Sequence, residues 1–518
     1  MTPEVHARLH QIPEWPGPDA KHSSNTLPDH VYNYKDSAFP ATFMQDGSCC
    51  SAASGIGYTY TYECNILKGV SAKKAANLCA YGFLYDFLND GAVDQGCWYY
   101  DAWDIAKKTG CLSKTDFGGE VEDKTTEMGE SRWGNGYIAY HNAYSQCRDS
   151  SYYTISVKDS AGIWKLKQWM YDHGRGDAIG GTATFSWYSE HNFTTIPTGM
   201  PDEGKKSLLK SITKSNGSSQ SEHAMTFAGY DDRIGASSSG ELGAVLLQNS
   251  WGTSYGDSGR SWVPYRFLKS PASKNADSTI YENTVYVIEV RKHTVKLDYK
   301  VTISHSSRSK IQIKTGYANS ATATSATTSS LVGTTTTGSA FNYSGGAYPM
   351  EGKGGDSTIE IGLDVTDFYT AMTGTQATFF LMITSKGGSG SVKSFSLMDY
   401  TGDTVTETAC SKTNVTITSG ATTTLSIVYT KPTTAVASSV ARKITTENIK
   451  VNKDNSLFVP FSGKSSVAIA NMQGRQFKSF ETIGQGWHTM PVQITAGKYV
   501  VTIVNAGKSY SRKIDIVK

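Results

Sequence analysis

The 518-residue sequence predicts a two-lobed α+β domain followed by two all-β modules, on three observations. First, an apolar, helix-length run opens at Cys50 and extends to about Lys68, and a second segment, Ser160 to His173, spaces Ile163, Leu166 and Met170 along one face. Second, residues 178 to 292 turn strand-rich, which predicts a β-barrel-like lobe after the helical one. Third, the composition shifts to Thr, Ser and Ala after Val290, and alternating strand patterns then follow one another to the end.

Taken in chain order, residues 1–26 carry Pro13, Pro16 and Pro18 among polar residues and read as a tail or pro-remnant. The opening Met1–His6 has no charged-then-apolar leader, which reads as a removed signal or an unconventional route of export. Residues 27–292 form the two-lobed domain, interrupted by a Gly/Ser/Lys loop from about Met200 to Gln220. Gly174 is the expected stop of the second helix.

Residues 293–433 read as an antiparallel β-sandwich, with strands at Ser357–Val365, Ala377–Ile383 and Val392–Met398. Tyr343, Tyr348 and Tyr369 are candidates for a sugar-stacking surface, although aromatic residues in a sandwich more often belong to its core. Residues 434–445 are a flexible linker, and 446–518 form short strands of a small β-sandwich. On this division a chain ending near residue 292 is expected to keep its activity.

The net charge is +3 and charged residues make up 18% of the chain, so there is no nucleic-acid footprint. No run approaches the roughly 18 apolar residues of a membrane span. Of the eight cysteines, all but Cys410 lie between Cys49 and Cys147. Setting one aside as a reactive thiol leaves an even set, the pattern of an exported protein with disulfides. No Cys-x-x-Cys pair suggests a zinc site.

The chemistry concentrates in three blocks. Gln45-Asp-Gly-Ser-Cys49-Cys50 places a thiol at the start of an apolar helix, where a helix N-terminus and a nearby imidazole favour the thiolate. A backbone N–H there, with the Gln45 amide, suits an oxyanion. Ser221-Glu-His223-Ala224 opens an apolar strand, and Gln248-Asn249-Ser-Trp251-Gly-Thr ends the next one. Asn249 can accept from one ring nitrogen of His223 and leave the other for the thiol, while Trp251 covers that bond. His141, His173 and His191 read as ordinary surface or loop residues.

These blocks resemble the papain-like cysteine peptidases. Leu27-Pro28 with Phe39–Gln45 resembles the family's mature N-terminal strand, and Gly96-Cys97 with Asp101–Gly110 resembles its cysteine-bearing loop and following helix. The likeness covers roughly residues 27–292. It implies a secreted cysteine endopeptidase acting on peptide or protein substrates through Cys50, His223 and Asn249 and a thioester acyl-enzyme. Gln45 would line the oxyanion hole and Trp251 would support the site, with no cofactor or metal. The loop from Gln45 to Cys50 is one residue shorter than the family's, and Cys50 rather than Cys49 fits the Cys-x-Ala-x-Ser helix start. Trp98-Tyr99-Tyr100 stands where a glycine pair usually meets the substrate, which makes these three a weak candidate substrate wall. The resemblance implies the disulfides Cys49–Cys97 and Cys79–Cys147, and with them Cys64–Cys111.

Two other classes fit the same residues: an inactive relative serving adhesion or binding, and a Cys-His-Asn transpeptidase. Retention of Cys50, His223, Asn249 and Gln45 weighs against the first, and cleft shape decides the second. The C-terminal residues resemble the sorting domain of type IX secretion in bacteria, through Asn471-Met-Gln-Gly-Arg475, Gly497-Lys-Tyr499 and the Lys518-terminated last strand. That likeness implies secretion or cell-surface placement, with the secretion machinery as a partner. A glycan or cell-surface ligand is the expected partner of the sandwich.

Overall fold

The computed structural model describes residues 7, 9–22, 26–88, 96–118, 132–187, 190–213, 223–235, 241–269, 280–331, 348–352, 355–402 and 404–432, with a set of strands between 450 and 516. Tyr343, the 434–445 linker and the 472–475 turn lie outside the described residues.

The central helix runs as predicted from Cys50, in three registers: α over Cys50–Ala52, π over Ala53–Tyr60 and α again over Thr61–Lys68. Its residues from Ser51 to Asn65 are all buried, so it is a core helix with neighbours on every side. Close packing explains its glycines, since a Cβ on Gly55 would meet the Tyr99 Cβ at 2.6 Å. Gly69, at φ 67°, closes it by donating to the Asn65 and Ile66 carbonyls. The second predicted helix spans Ser160–Asp172, with the Asp159 side chain accepting from Gly162 N–H. The residue that leaves the helix in the left-handed region is His173, at φ 54°, one position before the expected Gly174.

Nine strands make one open sheet in the first 300 residues. They are β1 (His30–Val31), β2 (Arg148–Ser156), β3 (Ala183–Trp187), β4 (Glu190–Thr194), β5 (Leu208–Thr213), β6 (His223–Gly235), β7 (Leu242–Gln248), β8 (Arg260–Pro264) and β9 (Thr284–Arg291). The order is β2-β9-β3-β6-β7-β8-β5-β4, with β1 added beside β6. Among the described residues the expected barrel-like closure is therefore absent: β2 and β4 are the two ends of the order and do not pair with each other. Strand β6 is 13 residues long and bends at two register shifts against β7. That bend lets one strand pair with β3 near its start and with β1 farther along.

The described part of the N-terminal segment is packed. Trp15 is buried edge-on against Trp169, and its N–H donates to the Thr154 carbonyl. Residues 297–430 form the predicted sandwich, with sheet orders β13-β10-β15-β16 and β12-β11-β14-β18. These strands are β10 (Leu297–His305), β11 (Ile311–Ala318), β12 (Thr328–Leu331), β13 (Thr358–Asp364), β14 (Gln376–Ser385), β15 (Gly390–Asp399), β16 (Thr406–Ala409), β17 (Val415–Thr416, beside β15) and β18 (Thr422–Thr430). Every second residue of β10 and β11 is buried over much of each strand, the pattern of a two-layer core.

The sandwich is not a separate body. Met1–Lys431 forms one compact unit. The carboxylate of Asp298 on β10 accepts from Tyr137 Oη at 2.7 Å and Tyr144 Oη at 2.6 Å, and its other contact is His141 Nδ1 at 2.8 Å. All three partners sit on the helix Tyr137–Gln146 of the first domain. Residues 432–518 form a second unit of two small sheets, in which Val467, Ile469, Val501 and Ile503 are buried at alternate positions. No helix among the described residues is long and apolar enough to cross a membrane.

Candidate active site

Cys50 begins the central helix, and its thiol is partly covered. Burial pushes the thiol pKa up, while hydrogen bonds from the Ala224 backbone and from Ser51 pull it the other way. The Ala224 contact is the geometric point: it puts the sulfur beside the residue that follows His223. Strand β6 begins at His223 and β7 ends one residue before Asn249, and Thr226 pairs with Gln248 between them. This register brings His223 Nε2 to 2.8 Å from Asn249 Oδ1. The same oxygen accepts from Ser250 N–H at 2.7 Å, so the amide is held from its own loop.

His223 is buried, and that burial lowers its pKa to about 4, with the Asn249 bond acting in the opposite sense. Trp251 lies over the imidazole, ring centroids 4.2 Å apart and 22° between planes, and is itself 43% exposed. It covers one face of His223 and presents its other surface to solvent. Tyr255 packs edge-on against Trp251.

Gln45 is tied into this loop. Its N–H donates to the Ser250 carbonyl at 2.7 Å, and its Oε1 accepts from Ser250 Oγ at 2.5 Å. Its Nε2 donates to the Gly47 carbonyl at 2.8 Å, which engages one of the two amide N–H groups. Ser250 thus touches both Gln45 and Asn249, a connection that its place between Asn249 and Trp251 did not announce.

The Trp98-Tyr99-Tyr100 expectation needs correction. Tyr99 and Tyr100 are 2% and 0% exposed, because the helix Tyr99–Thr109 starts here and turns both rings into the core. Tyr99 packs on Gly55, Trp103 and Tyr286. Only Trp98, stacked on Tyr100, stays partly exposed.

The disulfides are corrected too. Cys64 bonds to Cys147, which excludes both Cys79–Cys147 and Cys64–Cys111, since a half-cystine has one partner. Cys49 Sγ donates to the Asp46 carbonyl at 2.8 Å, inside the short loop that precedes Cys50. Pairing is decided by where the central helix meets the start of β2, a three-dimensional relation that linear spacing does not encode.

The histidines set aside from the sequence divide. His191 lies on β4. His141 contacts Asp298, and His173 is buried in ion pairs with Glu63 and Asp177, so neither is an idle surface residue. Among the described residues no group of three or more His, Cys, Asp or Glu is arranged to hold a metal.

No protein-family model matches the chain, and no curated protein matches it. Among solved structures, the chain is similar to xylellain, a cysteine protease from Xylella fastidiosa, at 17% identity over 54% of this chain and 92% of that one, TM-score 0.36. It is similar to a procathepsin B from Trypanosoma congolense at 11% identity over 55% and 84%, TM-score 0.36. A digestive procathepsin L2 proteinase from Tenebrio molitor larval midgut is similar at 16% identity over 52% and 70%, TM-score 0.31.

Proposed function

We propose that residues 27–292 carry a thiol peptidase in which Cys50 is the nucleophile, His223 the general base and acid, and Asn249 the group that orients His223. The observation that supports this reading most is the His223 Nε2–Asn249 Oδ1 bond at 2.8 Å, roofed by Trp251, with the Cys50 thiol against Ala224. An imidazole whose Nε2 is engaged by an amide oxygen keeps Nδ1 for proton transfer.

In this scheme the thiol proton passes to His223 Nδ1 as sulfur attacks the peptide carbonyl carbon. The carbonyl electron pair moves to oxygen, where the second Gln45 N–H and the helix start stabilise the negative charge. Collapse returns that pair, breaks the C–N bond and gives the His223 proton to the leaving amine, which leaves a thioester on Cys50. Water then attacks the thioester, His223 takes one water proton, the C–S bond breaks as the carboxylic acid product forms, and the leaving sulfur takes the proton back from His223 to restore the thiol. Asn249 holds the ring throughout and takes no proton.

The Cys64–Cys147 bond supports an oxidising, extracellular setting. In the same reading residues 446–518 serve secretion or surface placement. Iodoacetamide or an epoxide should label Cys50, and Cys50→Ala should abolish peptide hydrolysis. Label on Cys49 with an active Cys50→Ala protein would move the nucleophile. Amide synthesis from added amines in preference to hydrolysis would assign the site to transpeptidation.

A further inference from the structure

One buried hydroxyl joins the three segments that carry the site. Tyr58 lies on the same helix as Cys50, within the π-helical stretch, and is 0% exposed. Its Oη donates to the Asn249 carbonyl at 3.1 Å. It accepts from the Phe43 N–H at 3.2 Å and from Gln248 Nε2 at 3.3 Å. A phenolic hydroxyl has one proton to give and two lone pairs, so all three of its positions are used. The ring has no freedom either, being stacked on Phe43 at 4.4 Å and on Phe39 at 5.5 Å.

What those partners carry gives the contact its meaning. Phe43 precedes Gln45 by two residues on the strand-like segment that donates to the Ser250 carbonyl. Gln248 and Asn249 end β7, and the Asn249 N–H is itself fixed on the Gly259 carbonyl. The Asn249 backbone is therefore clamped on both sides, by Gly259 on one and by Tyr58 and Gln248 on the other. Its side chain starts from that clamped position when it reaches His223. A π register widens the helix and resets which residues face which neighbour, a feature that recurs at functional sites.

We propose that Tyr58 is a positioning residue for the proposed peptidase, setting the Cys50 helix against both the Asn249–His223 pair and the Gln45 segment through its hydroxyl. The assignment rests on the thiol-peptidase reading. It adds a group that touches neither substrate nor the reacting atoms and that no motif marks.

Tyr58→Phe removes the oxygen alone and keeps the stacked ring. The expected result is a kcat lower by about tenfold, the size of one lost buried hydrogen bond, with KM within about twofold. The pH profile of Cys50 alkylation by iodoacetamide should shift with it. Insertion of 3-fluorotyrosine at position 58, which restores a hydroxyl, should recover most of the kcat. A merely structural role would lower the melting temperature and leave both kcat well below that temperature and the alkylation profile at wild-type values; that outcome overturns the proposal. Should Tyr58→Phe not fold, Gln248→Met removes the donor shared by Tyr58 Oη and the Asn249 carbonyl. The expectation is a several-fold lower kcat, and a wild-type kcat with a wild-type alkylation profile overturns the proposal. Alkylation needs no peptide, so it separates two failures. A wild-type protein inert to peptides whose alkylation profile still shifts in Tyr58→Phe overturns the peptidase reading and leaves Tyr58 its positioning role.

Discussion

His223 and Cys50 are each penalised by burial for carrying charge, which keeps the imidazole neutral above about pH 4 and holds the proton on an isolated thiol. A base whose pKa is lowered stays unprotonated further into acid. On the proposed thiol-peptidase reading the acid limb of kcat/KM should accordingly fall with a midpoint near 4, measured from pH 3 to 8 on one peptide; a midpoint near 6.5 would mean that the ring is solvated during turnover. Removing the base exposes the other half of the pair. In His223→Ala, alkylation of Cys50 at pH 6 should slow by at least about tenfold and recover only in alkali, because the thiol loses its proton acceptor and burial outweighs the hydrogen bonds from Ala224 and Ser51. Unchanged labelling would show that another group draws the proton. Asn249→Ala should cost roughly tenfold to a hundredfold in rate while Cys50 remains labelable, since it leaves a buried ring nitrogen unpaired. At this scale the sequence was legible in residue type and local order: His223 meets Asn249 and Trp251, and Cys50 lies against Ala224, the placement on which the proposal rests. It was illegible at Tyr58 and Ser250, whose partners lie far along the chain.

Elements meet through a second buried pair. His173, in the left-handed position that ends the Ser160–Asp172 helix, lies 3.1 Å from Glu63 on the central helix and 3.1 Å from Asp177. Burial alone would lower its pKa, but the Glu63 and Asp177 carboxylates outweigh that and raise it to about 9. A histidine with an unfolded pKa of about 6.5 then stabilises the fold fully below that pH and loses the contribution as pH rises through about 9. Melting temperature should therefore decline between pH 6.5 and 9, by up to about 3 kcal/mol of stability, and His173→Gln should flatten that decline. An equal decline in His173→Gln would assign it to other groups. The neighbouring glycine is part of the same construction: a Cβ at Gly181 would stand 2.4 Å from Trp169 Nε1 and 2.7 Å from both Glu63 Oε1 and His173 Nε2. Apolar spacing found the Ser160–Asp172 helix and an unbroken apolar run found the central one, because both are local properties. The π register and the Cys64–Cys147 bond escaped these signals, because tertiary packing sets both.

Across the whole molecule the division into domains was read from composition, and composition does not report an interface. The shift after Val290 marks a real change of architecture, from one mixed open sheet to a sandwich. What it hid is how much of the first domain's polar chemistry is completed by the second. Arg148 Nη1 donates to Asp364 at 2.6 Å, and His293 Nε2 lies 2.9 Å from the same carboxylate. Asn135 is bonded to Glu351 and to the Glu360 N–H, and Gly362 lets the sandwich approach the Tyr137–Gln146 helix, a Cβ there falling 3.0 Å from Tyr140 Cβ and Tyr144 Oη. Cutting near residue 292 would strip Asp298 from Tyr137, His141 and Tyr144 and Asp364 from Arg148, exposing a tyrosine-rich face. The polar groups so exposed find water, but the tyrosine rings lose their cover at about 25 cal/mol per Å² of apolar surface, a large loss against the marginal stability of a domain. The earlier expectation of an active truncated chain thus reverses. Residues 1–292 should be insoluble or melt at least 10 °C below residues 1–431, by the usual relation of stability to melting temperature, and in residues 1–431 the two parts should unfold in one transition. Gly362→Leu in the full chain should weaken the same contact without removing any residue, and calorimetry should show the single transition splitting. A soluble residue 1–292 protein with wild-type melting temperature and peptide hydrolysis would show that the sandwich lends the first domain no stability.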